Sequence, residues 1–283
     1  MHLHPLTFRL KRAVDAAAIP FYRLRGSQPW TLGYHTTKQR AIEAAIDTDA
    51  VAVGKELPPM FGAALDERVV EYAWVFGHLR RAGPTGRLLD AGSIFNHDYL
   101  LRRPPLQGSD LTIMTLAPEK QCFWHSGISY VFGDLRDTYF KDGAFDTIVC
   151  ISTIEHVGLD NTLLYTSDRE RAECDERGFV AAAKEFRRII KPGGVCYISF
   201  PYGARLNLGW YQVFDDAMVE QIVEAYGPSE HSVEYFSYTK QGWRRASAVE
   251  VERSIPFDVH SGTGKGDDRA ASSRAIACLR LVA

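Results

Sequence analysis

The sequence predicts an α/β protein, a Rossmann-like, doubly wound and mostly parallel sheet with an N-terminal helical extension. Three observations predict it. From Arg87 onward short apolar runs alternate with amphipathic stretches, the rhythm of strand and crossover helix. The run Thr147, Ile148, Val149, Cys150, Ile151 is β-rich and almost uninterruptedly apolar, as a strand covered on both faces must be. It then breaks abruptly into Ser152, Thr153, Glu155, His156 and Asp160. In an open α/β sheet, ligands bind outside the carboxyl ends of the strands, so a strand ending in hydroxyls, a carboxylate and an imidazole marks the place to look for chemistry.

The elements follow in order. Residues 1–60 read as a helical extension or lid broken by Pro20, Gly26, Pro29 and Gly33, with Thr37 as N-cap of a helix through KQRAIEAAI. The region 61–283 reads as the main domain, with a cofactor half at 87–160 and acceptor-side segments at 200–260. DERVVEYAWVFGHLRR has apolar residues at helical spacing and is stopped by Gly83, Pro84 and Gly86. Strands are predicted over RLLDAGS, LTIMTL, ISYVFGD, FDTIVCIS and VCYISFPYG, with a helix over the NHDYLLRR region. A long helix runs toward AAAKEFRRII and halts at KPGG, and FDDAMVEQIVEAYG forms another with Asp215 and Asp216 in its first turn. SVEYFSYT and AIACLRLVA are late strands, RRASAVEVERS fits either state, and GTGKGDDRAASSR is a loop by composition.

Composition limits the function classes. The chain has 283 residues, 46% hydrophobic and 24% charged, with a formal charge of -2, so no basic excess points to nucleic acid or an anionic membrane. Five cysteines without CxxC spacing read as reduced thiols of a cytoplasmic protein. No apolar run has the length of a membrane span. The opening segment with Arg9, Lys11 and Arg12 reads as a helix packed on its own domain in preference to one touching a membrane surface.

Chemistry gathers at the strand ends. LLDAGS places Asp90 before Gly92 and Ser93, small residues that let backbone approach a ligand; the glycines of GxGxxG are replaced by Ile94, Phe95 and Asn96. Asp90 serves equally as a ligand for an ammonium group or as a cap in a βα turn. Thr115 ends the second strand, and Glu119 is the nearest carboxylate, either a ribose partner or a turn cap. Gly133 and Asp134 close the third, where the carboxylate either faces a ligand or caps a turn.

LLDAGS, TLAPE, GDLRD, FDTIVCISTIEHVGLDN and EFRRIIKPGGVCYISFPYG together resemble a class I S-adenosylmethionine-dependent methyltransferase, strongly over about 87–203. ISTIEHVGLDN with FPYG and GWYQVFD resembles bacterial sugar and polysaccharide O-methyltransferases. The resemblance implies S-adenosylmethionine as cofactor. Asp90, Gly92 and Ser93 would surround its amino acid part, Thr115 to Glu119 its ribose, Asp134 and Leu135 its adenine, and Ser152 and Thr153 its sulfonium. With the motif glycines missing, Asn96 or His97 would add side-chain contacts.

Methyl transfer to a hydroxyl needs alignment and a base. His156 is the expected base, with Glu155 orienting it or binding the acceptor; the alternative is a Glu-His pair that only fixes the loop. Glu155, Asp160, Asp215 and Asp216 are candidate oxygen ligands for Mg²⁺. Trp30, Tyr34 and His35 suggest a lid, and Tyr202, Arg205, Trp210 and Tyr211 overhang the same edge as candidate acceptor contacts. Core packing is the competing role for these aromatics. Trp243 with Arg244 and Arg245 is a third candidate for acceptor recognition, in a stretch that reads as exposed. The expected acceptor is a small molecule or oligosaccharide, such as a mannoside. A non-sugar metabolite, a nitrogen acceptor, a cofactor-binding protein without turnover and a homo-oligomer are compatible with the same residues.

Overall fold

The computed structural model describes residues 17–166 and 168–283. The expected opening helix and the terminal histidines His2 and His4 lie outside the described residues, apart from the helical residues 17–24. Two helices precede the sheet: α1 (Tyr34–Asp47) and α2 (Arg68–Ala82). α1 starts three residues before the predicted cap: Thr37 instead donates its hydroxyl to the Gly33 carbonyl. α2 is apolar nearly all round, with ten of its fifteen residues buried, and sits inside the protein between α1 and the sheet.

The strands are β1 (Arg87–Ala91), β2 (Asp110–Thr115), β3 (Ser129–Phe132), β4 (Phe145–Ile151), β5 (Ile190–Pro201), β6 (Leu206–Asn207), β7 (Gln212–Val213), β8 (Glu230–Thr239), β9 (Gly242–Ala246) and β10 (Ala275–Val282). Eight of them form one sheet in the order β3-β2-β1-β4-β5-β10-β8-β9, and β6 pairs with β7 in a separate ribbon. β1 to β5 run parallel; β10 lies antiparallel to both β5 and β8, and β9 is antiparallel to β8. The order reverses between β1 and β4, which opens a crevice above their carboxyl ends.

Two helices cover the opposite face, α3 (Gly178–Ile189) and α4 (Asp216–Tyr226). α3 buries Phe179, Ala182, Ala183, Phe186 and Ile189, an i, i+3, i+4, i+7 stripe against Ile148, Cys150, Cys196 and Ile198. It is shorter than the predicted long helix because residues 168–177 form only a loop and a short 3₁₀ turn. It stops at Ile189 as KPGG suggested, but Lys191 to Gly194 are drawn into β5 as an irregularity opposite β4, where Lys191 pairs with Asp146 at 2.5 Å. NHDYLLRR yields one turn, Asp98–Leu101. RRASAVEVERS divides between the end of β9 and a turn at Ala248–Val251 with a Ser247/Glu250 capping box. Trp243, read as exposed, is 2% exposed and donates its indole N–H to the Leu65 carbonyl. The five cysteines are free thiols, with Cys150, Cys196 and Cys278 buried. Among the described residues, no helix is long and apolar enough to cross a membrane.

Candidate active site

A cavity of about 640 Å³ opens above the carboxyl ends of β1, β2, β4 and β5. It adjoins a second of about 410 Å³ beneath α1. Lys38, Arg68, Gly92, Ser152 and Thr153 line both, so these residues form the junction. Gly92 has φ +126°, and a Cβ there would lie 2.0 Å from the Thr153 hydroxyl oxygen, so only glycine lets the β1 loop close onto the end of β4. Ser93 and Ser152 hold left-handed backbone without being glycine, at φ 66° and 40°. Such strain persists where surroundings over-determine it, and it concentrates at binding sites.

Ser152 is held by Glu71. One Glu71 carboxylate oxygen accepts the Ser152 hydroxyl at 2.6 Å and the Ser199 hydroxyl at 2.7 Å; the other accepts Arg68 at 2.7 Å. Glu71 is fully buried. Thus α2 ties together the ends of β4 and β5 and aims Arg68 at the junction of the two cavities.

Thr115, Leu116, Asp134, Leu135 and Arg136 line one end of the main cavity, with Leu164, Tyr165 and Glu173 from the loop after β4. Asp134 accepts the Arg136 backbone amide and three contacts from its guanidinium, which spends both carboxylate oxygens. Burial would push Asp134 up, but the Arg136 hydrogen bonds outweigh it and hold the carboxyl below its usual range. Arg136 also reaches Glu173 at 2.7 Å, latching the later loop over this end.

The other end holds Glu67, Glu155, His156, Trp210, Tyr211, His260 and Ser273. His156 sits 2.8 Å through Nδ1 from the Trp210 carbonyl. A carbonyl only accepts, so Nδ1 carries the proton and Nε2 keeps a free lone pair. Burial, aided by the Arg68 charge, pushes His156 down to about 4 against the bond to Trp210. The ring is therefore neutral near pH 7. Its Nε2 lies 3.9 Å from Glu155, beyond hydrogen-bond reach. Burial drives the Glu155 carboxyl well above the ordinary range. The Trp210 ring packs on His156 at 5.2 Å between centroids.

Of the expected site residues, Gly92, Thr115, Asp134, Leu135, Ser152, Thr153, Glu155, His156, Trp210 and Tyr211 line the main cavity, and Ser93 lines the second. Six do not line either. Asp90 is fully buried and accepts the amides of Ile94 at 3.1 Å and Phe95 at 2.8 Å: it is the turn cap, not a ligand contact. Asn96 and Glu119 bond each other at 2.8 Å, which takes Glu119 away from the ribose position. Tyr34 is buried against Asp66, and Tyr202 against Asp216. Arg205 is exposed and pairs with Glu176. In the suggested lid, Trp30 lines the main cavity and His35 the second.

The four carboxylates considered for Mg²⁺ are dispersed. Asp215 caps α4, Asp216 accepts Tyr202, Asp160 caps Thr162 and pairs with Arg169, and Glu155 alone faces the cavity. Among the described residues, no group of three His, Cys, Asp or Glu side chains could hold a metal ion. S-adenosylmethionine does fit the residues present. The Gly92 cradle, the polar strand ends and two joined cavities suit a nucleoside linked to an amino acid.

The sequence reading missed Lys38, Glu67, Arg68, Arg136 and Ser273. Arg136 carried a signal, two residues beyond Asp134 in a turn; the α2 residues carried none, because their charges sit in an apolar helix far from the strand ends.

Residues 92–198, well under half of the chain, match the model of the methyltransferase domain family. No curated protein matches the chain. Solved structures of similar shape include the 1,6-didemethyltoxoflavin-N1-methyltransferase of Burkholderia thailandensis, bound to 1,6-didemethyltoxoflavin and S-adenosylhomocysteine. It is 12% identical over 100% of this chain and 91% of its own, with a TM-score of 0.44. The YcgJ protein of Bacillus subtilis is 11% identical over 72% and 95%, at 0.45. A possible histamine N-methyltransferase of Thermotoga maritima is 15% identical over 72% and 84%, at 0.40. The family match falls on the segment from the β1 turn to β5 that carries the cavity floor.

Proposed function

We propose that the protein methylates a hydroxyl of a carbohydrate, such as a mannoside or another oligosaccharide, with His156 as general base. The observation that carries this reading is the His156 tautomer: Nδ1–H is committed to the Trp210 carbonyl, so Nε2 is available to take a proton in the same cavity as the cofactor floor. A hydroxyl acceptor needs such a base; its depressed basicity is offset because the proton leaves only as the new C–O bond forms.

S-adenosylmethionine, when bound, supplies a methyl group activated by its sulfonium. The chain does the rest. Gly92 would admit the ligand against backbone, Ser152 and Thr153 would form the floor, and Thr115 with Leu116 would hold the ribose. Leu135 would hold the adenine, with Asp134 fixed by its bonds to Arg136. Trp210 and Tyr211 supply aromatic faces of the kind that hold sugar rings, and Ser93 would hold the amino acid part from the second cavity.

The test is turnover on a panel of hexosides and mannose-containing oligosaccharides, with product mapping by mass spectrometry and NMR. His156→Ala should lower kcat by about 10² to 10⁴ and leave cofactor affinity, read by calorimetry, unchanged. Methylation confined to nitrogen, or an unaffected kcat, would overturn the reading. Cofactor binding without product across the panel would favour a binding protein without turnover.

A further inference from the structure

The acceptor end of the cavity contains more buried acids than cations to match them. Asp66, Glu67, Glu71 and Glu155 are all buried around it. Lys38 is bonded to Asp66 at 2.7 Å and Arg68 to Glu71 at 2.7 Å. Glu67 and Glu155 have no lysine or arginine within ion-pair distance among the described residues. Glu67 accepts the Ser273 amide at 3.3 Å. Glu155 is 2% exposed, and its Oε2 has no hydrogen-bond partner.

Three further groups at this end are buried without partners, the Trp210 indole N–H, the Tyr211 hydroxyl and the Ser273 hydroxyl. Glu67, Glu155 and Tyr211 all line the main cavity, so the two acids and the phenol face one space. A buried charge or polar group is costly unless matched. Burial pushes both carboxyls above their ordinary range, Glu67 to about 7. Two carboxyls are too few for a metal site of the kind excluded above. They suit an organic cation with several N–H donors, which would place one donor on each carboxylate and another on Tyr211 or Ser273, beside the aromatic faces of Trp210 and Tyr211.

We propose that the acceptor carries an ammonium group bound between Glu67 and Glu155, which makes it an amino sugar in place of a neutral one. This rests on the reading of His156 as base toward an acceptor hydroxyl: the ammonium is the handle, and the methyl goes to oxygen.

Calorimetry on the complex with S-adenosylhomocysteine tests it, using matched sets of amino, hydroxy and N-acetyl hexosides as probes. The amino member should bind roughly tenfold tighter or more than its neutral counterparts. Glu155→Gln and Glu67→Gln should each bring the members of a set to within about twofold by leaving one carboxylate where two are needed. Affinity for S-adenosylhomocysteine reports that each variant is folded. Equal or tighter binding of neutral members, or no binding of any amino member, overturns the proposal; O-methylation of a neutral member would then leave the hydroxyl reading standing. Amino hexosides that bind as expected but are methylated on nitrogen support the ammonium site and overturn the hydroxyl reading instead.

Discussion

The two ends of the main cavity are finished in opposite ways. At the end lined by Asp134 the charged groups are already matched: Asp134 takes four contacts from Arg136, which also pairs with Glu173. At the end lined by His156, each of Glu155, Trp210, Tyr211 and Ser273 keeps a buried polar atom without a partner. The matched end is preorganised, so a ligand there meets finished backbone and apolar surface and little has to reorder. The unmatched end holds polar groups that only a polar ligand satisfies, and it is there that discrimination is strongest, because an analogue lacking the right group leaves them unpaired.

Glu71 lies behind the cavity lining, bonded to Ser152 and Arg68, and is where a substitution costs most. Glu71→Ala strands the Ser152 and Ser199 hydroxyls and the Arg68 guanidinium together. Loss of one partner from a buried charged network costs about 3–5 kcal/mol. Denaturant unfolding should show a loss of that size, and Glu71→Gln should recover part of it. A loss below about 1 kcal/mol, within the range of ordinary surface changes, would mean that solvent reaches the cluster.

Gly92→Ala breaks the cofactor wall alone. The new methyl would meet Thr153 at 2.0 Å in a backbone conformation that favours glycine, a strain of about 1–3 kcal/mol. Calorimetry should show weakened S-adenosylhomocysteine binding, roughly 5- to 100-fold if the strain falls on the bound state. Acceptor discrimination, read as the ratio of kcat/KM between two acceptors, should be unchanged.

The smallest effect is a pH dependence confined to the acceptor end. His156 lies at about 4 in the folded protein, against about 6.5 when unfolded. Between those values the unfolded chain binds more protons, so stability rises with pH across that window. The contribution of the neutral ring is full above about 6.5 and is lost as pH falls toward 4. Glu155 acts with the opposite sign: its raised carboxyl favours folding at low pH, and that contribution is lost as pH rises through its folded value. The denaturant midpoint of the wild type minus that of His156→Asn, followed from pH 4 to 8, should therefore climb to a plateau near 6.5. A difference independent of pH would place the imidazole in water.

The sheet was legible because its signals are local. Apolar runs such as Thr147 to Ile151 read as strands whatever surrounds them, and the alternation with α3 implies parallel crossovers. β10 was visible as a strand, but its antiparallel placement between β5 and β8 was not, since strand order is a long-range pairing. The cavity lining was legible wherever a residue ends a strand: Gly92, Thr115, Asp134, Ser152 and His156 all line the main cavity. Asp90 was ambiguous in sequence, because a carboxylate in a βα turn serves the amides behind it or a ligand in front of it with the same chemistry.

By itself, then, the sequence determined the parallel half of the sheet, the edge above which the main cavity opens and the imidazole that lines it. Only the tertiary structure decided what supports and what completes that edge. Glu71 lies 81 residues from Ser152 and 128 from Ser199, and no local pattern pairs them. Tyr34 and Tyr202 look like acceptor contacts by type, yet each hydroxyl is already bonded to a carboxylate, whereas Tyr211 keeps a free hydroxyl in the cavity that Glu67 and Glu155 also line. Residue type fixes what a side chain can bond, and packing fixes whether a partner is already there.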